Sequence, residues 1–116
     1  MDMVKEQLKN MPDQRVFTVP EGIVKIGYRC FSNTNVEEFI LPSCVREIDC
    51  EAFRWCENLK TIILPEGLET IGVSSFRETG IKEIVIPKSV KRIEAMAFSG
   101  YVDDNKQHRV LEKMIL

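Results

Sequence analysis

Prolines stand at Pro20, Pro42, Pro65 and Pro87, at intervals of 22, 23 and 22 residues, and three further columns keep the same register. Ile23, Val45, Leu68 and Val90 follow each proline by three residues, Ile26, Ile48, Ile71 and Ile93 by six, and Phe31, Phe53, Phe76 and Phe98 by eleven. A unit this short cannot bury its own apolar face, so successive copies must stack. The spacing therefore predicts a solenoid, in which each column becomes a line of side chains along one axis. At roughly 4.8 Å per stacked strand, five coils make a core on the order of 24 Å long.

Cut at this period, the chain divides into repeats at about 14–35, 36–58, 59–80 and 81–100, with a partial copy at 107–116. The stretch YVDDNKQ reads as a loop bulging from the last full coil. Residues 1–13, with Met3, Val4, Leu8 and Met11, read as a short helical arm or cap. Inside a repeat the apolar pattern alternates as in a strand: Leu59, Ile62 and Leu64 face one way, Thr61 and Ile63 the other. Proline then stops the strand, and Gly22, Gly67 or Ser89 two residues later suits a turn, a place taken in the second repeat by Cys44. A second short extended piece, such as LETIG, returns along the opposite side. The stretch leading past phenylalanine, such as AFRWC, curls as a turn or 3₁₀ segment. The phenylalanines are expected to form an internal stack rather than an aromatic platform for ligands.

Composition removes several classes of function. Sixteen Lys and Arg against eighteen Asp and Glu give a net charge of −2, without the basic excess that nucleic acid requires. No apolar run approaches the roughly 20 residues that cross a bilayer, so membrane insertion is not expected. The N-terminus, MDMVKEQLKN, has charges at Asp2, Lys5, Glu6 and Lys9 and no apolar signal region, which places the chain as written in the cytoplasm. Cys30, Cys44, Cys50 and Cys56 lack the C-x₂-C pairing of zinc sites, and the single His108 lies far away, so no metal or cofactor is expected. The four thiols occupy four different phases of the repeat, and stacking does not bring them together; they read as small apolar filling. Glu37, Glu38, Glu47, Asp49, Glu51 and Glu57 crowd the second repeat, yet the period spreads them over different faces. An open solenoid face does not desolvate a carboxyl enough for acid catalysis, so no catalytic residue is expected.

The pattern L-x-x-I-x-L-P-x-x-L-x-x-I-G-x-x-A-F, carried by the Pro, Ile and Phe columns, resembles the leucine-rich repeats of the BspA-like (Treponema pallidum type) class. Gly27 and Gly72 after isoleucine, Ala52 and Ala97 before phenylalanine, and Cys56 three residues after it also fit. Asp49 and Glu94 depart from the glycine, and Cys30 and Ser75 from the alanine. The resemblance implies a mostly β leucine-rich repeat solenoid with about four full coils and a C-terminal half-coil. It also implies binding to other proteins, since similar chains are mostly long bacterial or protozoan surface proteins. A fragment of such a protein would belong at the cell surface or be secreted.

Positions two and four residues before each proline should point outward from the stacked strands. The nearer column reads Thr18, Ile40, Ile63, Val85 and Ile115; the farther reads Val16, Glu38, Thr61, Glu83 and Lys113. Branched residues suit exposed strands, but an apolar row across several coils also makes a contiguous contact patch. Ile40, Ile63 and Val85, with Glu38, Thr61 and Glu83 alongside, are therefore the expected protein-binding residues. Met114, Ile115 and Leu116, at the C-terminal edge, are the expected contacts if the chain instead self-associates as a structural or spacer fragment, for example as a homodimer. Charge varies along the axis: the second repeat sums to −4, and the first and fourth to +2 each. This pattern is either surface scatter or a field that steers a complementary partner.

Overall fold

The apolar columns become stacked lines of side chains, and the strands that carry them pair from coil to coil. The computed structural model describes residues 2–3, 15–98 and 113–115. Among these residues there is no helix, and ten short strands follow the repeat. They are β1 (Asp2–Met3), β2 (Val16–Thr18), β3 (Lys25–Ile26), β4 (Glu38–Ile40), β5 (Glu47–Ile48), β6 (Thr61–Ile63), β7 (Thr70–Ile71), β8 (Glu83–Val85), β9 (Arg92–Ile93) and β10 (Lys113–Ile115). Odd-numbered strands form one parallel sheet in the order β1-β3-β5-β7-β9. The even-numbered strands form the other side of the coil as β2-β4-β6 and, separately, β8-β10. The chain is a parallel β-solenoid of about four turns.

Register follows the columns. Phe17, Phe39 and Ile62 are partners along one side, and Met3, Ile26, Ile48, Ile71 and Ile93 along the other. The single 23-residue interval places its extra residue in the turn between Phe53 and Leu59, so both sheets keep in step. Phe31, Phe53, Phe76 and Phe98 stack as expected, with ring centroids 5.4, 5.0 and 5.3 Å apart and interplanar angles of 17°, 5° and 4°. Phe17 and Phe39 close this stack from the β2-β4 side, with centroids 5.3 Å from Phe31 and 4.9 Å from Phe53 respectively.

The turn beside the phenylalanines alternates handedness. Arg29, Glu51, Ser74 and Met96, and four residues on Asn33, Trp55 and Glu78, have φ between 54° and 66°. A left-handed residue that is not glycine costs roughly 1–2 kcal/mol. The reason it is tolerated lies in the next coil. The N–H groups of Arg29, Phe31 and Asn33 donate to the carbonyls of Cys50, Ala52 and Arg54. The same bonds recur from Glu51, Phe53 and Trp55 to Val73, Ser75 and Arg77. Alternation aims every second N–H along the axis, so the turn itself becomes a third line of inter-coil hydrogen bonds.

At the turn after proline the coils use two chemistries. Gly22 and Gly67 take positive φ, 94° and 101°, as a glycine in a tight turn does. In the alternate coils that position holds Cys44 and Ser89, whose side chains reach back one coil. Cys44 Sγ donates to the Ile23 carbonyl at 3.2 Å, and Ser89 Oγ donates to the Leu68 carbonyl at 2.7 Å while accepting from the Gly67 N–H at 2.9 Å.

Of the segment 1–13, expected as a helical arm or cap, residues 2 and 3 are described, and they form a strand rather than a helix. Asp2–Met3 is extended and pairs in parallel with β3, Met3 is buried, and the Met3 carbonyl accepts from the Gly27 N–H at 2.8 Å. The edge of β3 offers hydrogen bonds that two residues of nascent helix do not. The rest of that segment, residue 1 and 4–13, lies outside the described residues, as does the loop YVDDNKQ.

Candidate protein-binding surface

Strands β2, β4 and β6 each bury their middle residue and turn the two that flank it outward. Phe17, Phe39 and Ile62 go into the core; Val16, Thr18, Ile40, Thr61 and Ile63 stand in solvent, and Glu38 is half-buried. β8 repeats the pattern, with Ile84 buried and Glu83 and Val85 exposed. The expected row is thus on the surface. Ile40 is 46%, Ile63 77% and Val85 58% exposed, which is unusual for branched apolar side chains on a paired strand. Backbone pairing holds Thr18 beside Ile40 and Ile40 beside Ile63, so the row is rigidly spaced. In the farther column Val16, Glu38 and Thr61 are partners in the same ladder.

The row is interrupted by a groove that the spacing did not foretell. β6 and β8 lie side by side, but no ladder joins them among the described residues. At the start of the strands the coils approach closely: a Cβ on Gly80 would sit 2.6 Å from the Glu57 carbonyl oxygen and 2.9 Å from that of Leu59. The inter-coil bond that the Lys60 N–H makes to Glu37 has no counterpart from Lys82 to Lys60. Residues of both strands line a groove of about 940 Å³. Ile63, Val85, Lys60, Lys82 and Glu66 are among the residues that line it. A missing ladder is a property of two coils together; at the close approach Gly80 stands where the two preceding repeats have Asn35 and Asn58.

Met114 and Ile115, expected at the self-association edge, lie in β10 and pair in register with Ile84 and Val85. Leu116 lies outside the described residues, as does His108.

The charge variation has an intramolecular explanation in part. Basic residues of coil one face acidic residues of coil two: Arg15 to Glu37 at 3.2 Å, Lys25 to Glu47 at 3.2 Å and to Asp49 at 3.5 Å, and Arg29 to Glu51 at 3.3 Å. The Glu47 and Asp49 carboxylates raise the Lys25 pKa above its ordinary value. Glu51 is the most enclosed of these carboxylates and also takes a hydrogen bond from Arg54 at 2.8 Å. Burial pushes its pKa up, but the Arg54 hydrogen bond and the Arg29 charge prevail and hold it below the ordinary carboxylate range. The six carboxylates of coil two thus lie on both sheets and the intervening turn, and do not converge. Among the described residues no group of three or more His, Cys, Asp and Glu side chains is arranged to hold a metal. Cys30 and Cys56 are buried in the core, Cys44 and Cys50 half-buried, and all four are free thiols. The Cys56 thiol donates to the Phe31 carbonyl at 3.0 Å. No helix among the described residues is long and apolar enough to cross a membrane.

Parallel strands two or three residues long on two sides of each coil, stacked on a phenylalanine column, define a leucine-rich repeat solenoid. The family model described as "BspA type leucine rich repeat region (6 copies)" matches residues 8–103. The chain belongs to the BspA-type leucine-rich repeat family. Neither the curated proteins nor the solved structures gave a match.

Proposed function

We propose that the chain is a non-catalytic protein-binding module and that its ligand lies on the exposed face of β4, β6 and β8. One observation carries this reading. Ile40, Ile63 and Val85 present branched apolar surface on a scaffold whose inward neighbours Phe39, Ile62 and Ile84 are fully engaged in the core. Exposed apolar area gains roughly 25 cal/mol per Å² when covered, and a rigid backbone loses little entropy in being covered. Glu38, Thr61 and Glu83 border the row and supply polar contacts that orient a partner. The mechanism is presentation of a preformed surface, with no chemistry on the ligand. Family membership supports the coarse reading, a repeat-built interaction module.

Capture experiments test it. Ile63→Lys places a charge at a side chain already in solvent, so the circular dichroism and melting temperature should match those of the parent. Proteins retained from a native extract by the parent, and lost with Ile63→Lys, are the expected result. Identical retention by both would place any ligand elsewhere.

A second reading is supported by β10. It is the outer strand of its sheet among the described residues, and its free edge at Lys113–Ile115 has the geometry to pair with another chain. Self-association through Met114, Ile115 and Leu116 would make the chain a structural unit. Deleting 111–116 would then change its oligomeric mass without touching Ile63.

A further inference from the structure

The opposite sheet ends differently, on β9. Along that sheet every isoleucine of the column is sealed by the coil above it: Ile26, Ile48 and Ile71 are fully buried, while Ile93 is 40% exposed. Each isoleucine carbonyl also accepts a backbone bond from the next coil, Ile26 from Asp49, Ile48 from Gly72 and Ile71 from Glu94. Among the described residues Ile93 has no such donor. The Arg92 and Glu94 N–H groups point to β7, onto the Glu69 and Ile71 carbonyls. The alternation of a strand therefore sends both the N–H and the carbonyl of Ile93 outward, to the open edge.

We infer that this edge pairs with the β9 edge of a second copy, antiparallel, about a two-fold axis at Ile93. An antiparallel pair centred on one residue exchanges two hydrogen bonds there, Ile93 N–H to Ile93 carbonyl in each direction. The same operation sets residue 92 of one copy opposite residue 94 of the other. Here those residues are Arg92 and Glu94, so Arg-Ile-Glu is its own electrostatic complement across the axis. Both charged side chains lie on the solvent face, and the two Ile93 side chains meet on the core face. The alignment thus pairs two cations with two carboxylates and covers the exposed end of the core column in one step. Within a single chain Arg92 and Glu94 approach to 3.5 Å, with Arg92 exposed and Glu94 half-buried, and from this position both can turn to a partner at the edge. This contact uses the opposite sheet from Ile63 and does not depend on the proposed protein-binding face.

Charge reversal tests the pairing, with the full chain and sedimentation equilibrium as the readout. The parent should show a concentration-dependent mass that approaches twice that of the chain. Glu94→Arg sets arginine opposite arginine, and Arg92→Glu sets glutamate opposite glutamate. Each variant alone should dimerise about tenfold more weakly or worse, because like charges then face each other twice across the axis. Mixed in equal amounts, the two variants should form a heterodimer, since every facing pair is again of opposite charge. Arg92 is exposed and Glu94 half-buried, and circular dichroism verifies that the fold is kept in both variants. A parent that stays monomeric at all concentrations would overturn the inference, because the edge is then covered from within the chain or by another protein. Dimers indifferent to either reversal, or a mixture that stays monomeric, would overturn it equally.

Discussion

Removing the ring at Phe53 is the most informative perturbation of the core. Phe53 is fully buried and lies 5.4 Å from Phe31, 5.0 Å from Phe76 and 4.9 Å from Phe39, so Phe53→Ala empties the middle of the stack. A buried Phe→Ala substitution costs about 3–5 kcal/mol, and lost aromatic pairs place this site toward the upper part of that range. A chain of 116 residues has on the order of 6–17 kcal/mol of stability in all, so the variant should fold but lose roughly a third of it. With a urea slope of about 2 kcal/mol per molar, the unfolding midpoint should fall by about 2 M. Trp55, two residues away and the only tryptophan, reports the transition by fluorescence. Phe98→Ala is the internal comparison. Its ring stacks on Phe76 alone among the described residues and is only partly buried, so the loss should be about half as large. Equal losses at the two positions, or a loss below about 1 kcal/mol at Phe53, would refute the idea that this column holds the coils together.

Three further outcomes follow from the turns and the inter-coil pairs. Gly67→Ala should cost about 1–2 kcal/mol in urea unfolding, because alanine must adopt a φ near 101°. Ser89→Ala should cost about 1–2 kcal/mol in the same assay, since it strands the Gly67 N–H and the Leu68 carbonyl one coil away. Glu51 has a pKa held below the ordinary value of 4.5, so it stabilises the fold above that pH and loses its contribution as pH falls through the lowered value. Glu51→Gln should therefore lower the melting temperature near neutrality and flatten its decline on acidification. An unchanged acid limb would show that the Arg29 and Arg54 contacts contribute nothing.

What the sequence made legible is what repeats at equal phase. The Ile, Val/Leu and Phe columns predict the core because stacking brings residues 22 or 23 apart into contact, and the alternation around each proline predicts which side chains face solvent. The features that escaped arise between coils. Arg29, Glu51 and Ser74 carry no glycine to advertise their left-handed backbone, which is fixed by N–H bonds to the following coil. Acidic residues of coil two read as surface scatter or a steering field until the register sets them against Arg15, Lys25 and Arg29. The absence of a ladder between β6 and β8 is a relation between two coils, which no single repeat encodes. At Asp2–Met3 a weak helical periodicity yields to the hydrogen bonds of the neighbouring β3 edge.

The measurement that bears most directly on the protein-binding claim is site-specific photocrosslinking in a native extract. A benzophenone side chain at position 63 stands on the exposed row; the same group at Thr70, on the opposite sheet, is the control. A discrete adduct with another protein that forms from position 63 and not from position 70 is the predicted result. Adducts of two copies of the chain alone would assign the row to self-association. No adduct at 63, or the same adduct from both positions, would contradict the assignment of this face as the binding surface.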